Sequence, residues 1–76
     1  MKHARADYDR IQDPAGKIPE DEPVFLLRAQ DKHAADTLRC YAQILEFEGC
    51  DEAIIQATLE QADRMDAWPV KKVPDL

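Results

Sequence analysis

Seventy-six residues make one small domain, and chains of this size bury only about 60% of their unfolded surface, so they usually need a disulfide, a metal or a partner copy. Sixteen acidic and ten basic residues leave a net charge of −6, which excludes general electrostatic binding to nucleic acid. It fits plain solubility or a basic partner, including a nucleic-acid-binding site occupied by mimicry. No stretch approaches the ~18 apolar residues of a membrane span, and the charged first twenty residues lack a signal-peptide core. The expected location is the cytoplasm.

In chain order, the sequence divides into an arm with a Pro-rich loop (residues 1–23), a central body (residues 24–68) and a tail (residues 69–76), all within one domain. Tyr8 and Ile11 are the larger apolar groups of the arm. Their spacing predicts a helical turn over residues 4–12 that docks both on the body, with fraying as the alternative. Asp13-Pro14-Ala15-Gly16 reads as a turn, and residues 13–23 as a loop without regular structure. Val24-Phe25-Leu26-Leu27-Arg28 is strand-like and apolar throughout. A single strand has to pair with the N-terminal segment or a copy of itself, unless the run begins a helix.

Asp31 suits the N-cap of a first helix over residues 32–48, and Gly49 suits its end. At about 100° per residue, Ala34, Leu38, Tyr41, Ala42 and Leu45 form one apolar stripe. Cys40, Ile44 and Phe47 form a second, where an ordinary surface helix has one. Asp51 caps a second helix, Glu52–Ala67, whose stripe of Ile55, Leu59 and Ala62 is flanked by Ile54, Thr58 and Met65. That stripe can cover only one face of the first helix. The short Gly49-Cys50-Asp51 link makes the pair a helical hairpin, and Trp68-Pro69 stops the second helix. The fold class is therefore mainly α: a helical hairpin with an extended or partly helical N-terminal arm and room for one short β-strand. The strand-like run or a partner chain is needed to cover the second stripe. A homo-oligomer is expected, with Phe25, Leu27, Cys40, Ile44, Phe47 and Trp68 as interface candidates.

Catalytic and metal chemistry find little support. Cys40 and Cys50 should lie roughly 15 Å apart along the helix, too far for a disulfide, and are expected to be buried or half-buried thiols. His3 and His33 have no metal-ligand spacing, so no metal and no cofactor is expected. The chain has no serine, and His33 falls about 10 Å along the helix from Cys40, so no nucleophile–base pair forms and a non-enzymatic protein is expected. Glu20-Asp21-Glu22 and Glu46/Glu48 read as solvated faces, the first also as an acidic loop that can meet a basic partner.

A basic and aromatic set is more informative. Arg5, Tyr8, Arg10 and Lys17 lie in the arm, and Arg28 ends the strand-like run. Arg offers a rigid fork for phosphate and Tyr can stack on a base. Two such arms brought together in an oligomer can clasp a small anionic ligand such as a nucleotide. The alternative is that they pair with neighbouring acids. Arg28 is the best single candidate, its plain role being an ion pair with Asp31 or a helix C-terminus.

Lys17-Ile18-Pro19-Glu20-Asp21-Glu22-Pro23-Val24-Phe25-Leu26-Leu27-Arg28-Ala29-Gln30-Asp31 and the later Arg64-Met65-Asp66-Ala67-Trp68-Pro69 resemble short conserved-hypothetical proteins of tailed bacteriophages and prophages. The resemblance covers most of residues 13–76 and carries over no functional residue. It implies action by binding, for example blocking a host defence protein or sequestering a signalling nucleotide.

Overall fold

The computed structural model describes residues 1–11 and 13–74. In chain order it contains β1 (Lys2–His3), a 3-10 turn (Ala6–Tyr8), β2 (Pro23–Val24), α1 (Ala34–Phe47) and α2 (Glu52–Ala67). The fold is mainly α, as the pattern requires: a helical hairpin with an arm that adds a two-stranded parallel sheet. No described helix is long and apolar enough to cross a membrane.

Local chemistry sets most helix ends. The Asp51 carboxylate accepts the Ala53 N–H at 2.9 Å at the start of α2, a cap contributing about 1 kcal/mol. The helix stops at Trp68, extended at φ −68° and ψ 124° ahead of Pro69. At the end of α1 the Cys50 N–H donates to the Leu45 carbonyl at 3.0 Å and the Gly49 N–H to the Glu46 carbonyl at 3.1 Å. These are the two bonds of a Schellman ending, and they hold Gly49 at φ +71°. The start of α1 differs from expectation. Its N-cap is His33, without a side-chain cap bond. Asp31 instead accepts the His33 N–H at 2.8 Å through its carboxylate and the Ala34 N–H at 3.0 Å through its carbonyl. Asp31 thus builds the turn that leads into the helix, because its short side chain closes on the backbone two residues ahead.

The helices meet through small residues: Ala34, Ala35, Ala42, Ile55, Ala62 and Met65 are buried, and Leu27, Ala29 and Leu38 pack partly buried against this cluster. Arg39 ties the hairpin from outside. It donates to Asp66, to Asp63 at 3.1 Å and to Asp36 at 3.1 Å, and these carboxylates, Asp66 foremost, raise its pKa further.

The strand-like run does not cover the second stripe of α1. Only Val24 of that run enters the sheet, where Lys2 pairs with Pro23 and His3 with Val24. The partner segment is too short to extend it, since the chain turns into the 3-10 turn after Arg5. That turn, Ala6–Tyr8, is all that forms, among the described residues, of the helical segment expected over residues 4–12, whose last position lies outside them; Tyr8 is half-buried and Ile11 38% exposed. Ile44 is consequently 59% and Phe47 91% exposed, and Tyr41, placed by its spacing on the inward stripe, is 54% exposed. Both cysteines are exposed rather than buried, Cys40 because it lies on the uncovered stripe and Cys50 because it sits in the turn between the helices.

A side chain at position 49 would meet no atom within 4 Å, so the backbone angle is the whole obstacle there. Gly49→Ala is expected to cost about 1–2 kcal/mol, read as a lower urea midpoint by far-UV circular dichroism with the folded signal unchanged.

Candidate functional site

The site begins with the parallel pairing of β1 and β2. Parallel strands leave a ladder at the same end, so Ala4 and Arg5 emerge beside Phe25 and Leu26. The Lys2 N–H fixes this register by donating to the Glu22 carbonyl at 2.7 Å. The 3-10 turn then folds Tyr8 back under Arg5, whose guanidinium lies 5.2 Å from the ring centroid, within cation–π range. Arg5 also forks onto the Asp7 carboxylate at 3.0 and 3.1 Å. His3 meets Tyr8 edge-on at 6.4 Å, and both its ring nitrogens are buried without a partner among the described residues.

A second wall comes from the far end of the chain. The Asp31 N–H donates to the Arg28 carbonyl at 2.9 Å, closing a turn. Lys72 runs alongside in a parallel bridge with Asp31, its N–H donating to the Gln30 carbonyl at 2.7 Å and its carbonyl accepting the Lys32 N–H at 3.1 Å. The result is a cavity of about 90 Å³ lined by Arg5, Tyr8, Phe25, Arg28, Asp31 and Lys72, with Ala4, Leu26, Gln30 and Pro74 completing it. Drug-sized sites begin near 300 Å³, so this one has room for no more than a small group, about the size of a phosphate. Arg5, Arg28 and Lys72 bring three cations to its lining; among the described lining residues Asp31 brings a carboxylate, and Asp7 pairs with Arg5 alongside.

No protein-family model, curated protein or solved structure matches this chain. The site therefore rests on its own geometry.

Of the five residues singled out as ligand-binding, the fold brings Arg5, Tyr8 and Arg28 together and leaves Arg10 and Lys17 outside the cavity, both exposed. Arg28 makes neither of the ion pairs considered for it among the described residues. Lys72 and the aromatic wall at Phe25 were not singled out for this role; the Lys71-Lys72 pair is the only local signal the tail carries. Among the interface candidates, Leu27 is taken up at the edge of the chain's own core. Phe25 is 73% and Trp68 53% exposed. Among the described residues no cluster of His, Cys, Asp or Glu is placed to hold a metal ion.

The Arg5 fork lowers the pKa of Asp7 from its ordinary value of 3.8. A carboxyl with a depressed folded pKa contributes stability above its unfolded value and loses it as pH falls through the folded one. The arm is therefore expected to stay docked down to the ordinary aspartate range and to loosen below it. The backbone amide signals of Arg5 and Tyr8 in a pH titration report this, and Asp7→Asn should abolish the step.

Proposed function

We propose that this chain is a non-enzymatic binding protein for a small phosphate-bearing ligand of the nucleotide class. It acts in the cytoplasm, that of a bacterial host if the chain is phage-encoded. The observation that carries this reading is the convergence of Arg5, Arg28 and Lys72 on one cavity in a chain of net charge −6. Acidic proteins do not gather cations by default, and a phosphate accepts charge-assisted bonds from forked and pointed donors alike. The cavity is sized for the phosphate. Phe25, 73% exposed at its rim, offers a flat apolar surface on which a base can stack, a contact worth about 1–3 kcal/mol.

The test is thermal denaturation with inorganic phosphate and a panel of nucleoside phosphates. At a concentration about a hundredfold above Kd, binding adds about 2.7 kcal/mol, or roughly 10–20 °C in a domain this small. Arg28→Ala should leave the ligand-free midpoint unchanged and weaken binding about ten- to a hundredfold. No shift with any phosphate compound would sink the reading.

We also propose that the protein works as a homo-oligomer. Support comes from the core: six of the described residues are buried, four of them alanine, while Tyr41, Ile44, Phe47 and Ile54 are more than half exposed. Native mass spectrometry is expected to give a multiple of 8.7 kDa, and Phe47→Ser to shift it toward the monomer without loss of helix signal.

A second reading is favoured by charge. Between Cys40 and Asp63 the chain carries six acids and no basic residue, so the far half of the hairpin suits a basic protein surface, such as the nucleic-acid site of a host defence protein. A monomer in the mass spectrum that binds no phosphate would favour it.

A further inference from the structure

Residues 70–74 cross the open end of the hairpin as a strap. Their large apolar groups are not what holds them: Val70 is 55% and Val73 61% exposed. Attachment is polar. The backbone of Lys72 bonds on both sides, to the Gln30 carbonyl and the Lys32 N–H. The Lys71 ammonium donates to the carbonyl of Met65, in the last turn of α2, and to the Ala29 carbonyl at 2.9 Å. The Met65 carbonyl already accepts the Trp68 N–H at 3.2 Å, but a helix C-terminus carries partial negative charge, so an ammonium is well placed there. Successive side chains of an extended segment point to opposite sides. Lys71 engages the hairpin, and Lys72 lines the cavity.

We infer that this strap is a working part of the phosphate site, with Lys71 as the positioning residue that sets Lys72 at the cavity. The inference rests on the ligand-binding reading above and adds to it a coupling between strap and ligand. Lys71 touches no ligand. It fixes the segment that presents the third cation, adding two side-chain bonds to the two backbone bonds of Lys72. Coupling of this kind is reciprocal: a phosphate bound at Lys72 holds the strap closed, and a strap released at Lys71 costs affinity.

The experiment uses the full chain, with inorganic phosphate and a nucleoside monophosphate as probes, and reads affinity by calorimetry and amide hydrogen exchange by NMR. Lys71→Met keeps the apolar stem and removes the ammonium. It should weaken phosphate binding about three- to tenfold and lower the protection of the Lys72 and Lys32 amides, while α1 and α2 keep theirs. Lys71→Arg, which keeps a donor and the charge, should restore most of the affinity. In the parent chain, phosphate should raise protection at the same two amides. Unchanged affinity in Lys71→Met despite lost protection would remove the strap from the site and leave the ligand reading standing. Retained protection in Lys71→Met would overturn the positioning role. A parent chain that binds neither probe would overturn the ligand reading and the strap's role together.

Discussion

Where α1 and α2 approach each other, the side chains between them are Ala34, Ala35, Ala42 and Ala62, and among the described residues Ile55 and Met65 are the larger buried groups. Methyl groups let two helices come close, but each removes little apolar surface from water compared with a buried Leu or Phe, worth about 1.5–3 kcal/mol. Among the described residues no large side chain is fully enclosed. The remaining structure follows from that constraint. Arg39 bridges both helices with three carboxylates, Asp51 and the Gly49 ending define the turn, and the two chain ends are attached through backbone ladders and charged groups. The bulky side chains that would form the centre of a larger domain lie on the outside of this one.

Because the hairpin core is thin, the chain ends contribute more to architecture here than termini usually do. The first strand pairs in parallel with the segment leaving the Pro-rich loop, and the tail forms a parallel bridge just ahead of α1. Both events occur at the open end of the hairpin, so arm, loop and tail converge there. The cavity between them has walls from three regions of sequence and almost none from the helices. A site of this construction is ordered only as far as its chain ends are docked.

Much of the helical part was legible from the residues. Asp51, Gly49 and Trp68-Pro69 are local signals, each acting within a few positions, and α2 occupies the span they define. Asp31 misled by two residues because an Asp before a helix can close a turn as readily as cap the first coil. The site was legible by chemistry more than by place. Arg5, Tyr8 and Arg28 were recognisable as a phosphate-compatible set, and they do meet. Arg10 and Lys17 have the same chemistry but lie beyond the turn that aims Arg5 inward. Lys72 was out of reach of such reasoning, since its place at the cavity depends on a bridge to Asp31 across forty-one positions, and an isolated bridge leaves no periodic trace. The width of the apolar surface on α1 was readable; that the strand-like run would leave it open was not, because the outcome turned on how short β1 is.

The uneven placement of charge has a kinetic consequence. The segment from Cys40 to Asp63 holds the whole net charge of −6, while the cavity with its three cations sits at the other end of a hairpin about 20 Å long. The far half of the hairpin is therefore strongly acidic, while the remaining residues balance at zero. Were the cavity to take an anion as proposed, the far end would repel the approaching ion and turn it toward the cavity before contact, a steering that acts over roughly 8–10 Å at physiological ionic strength and fades as salt rises. On that reading a small acidic protein would collect anions quickly without carrying a net positive charge.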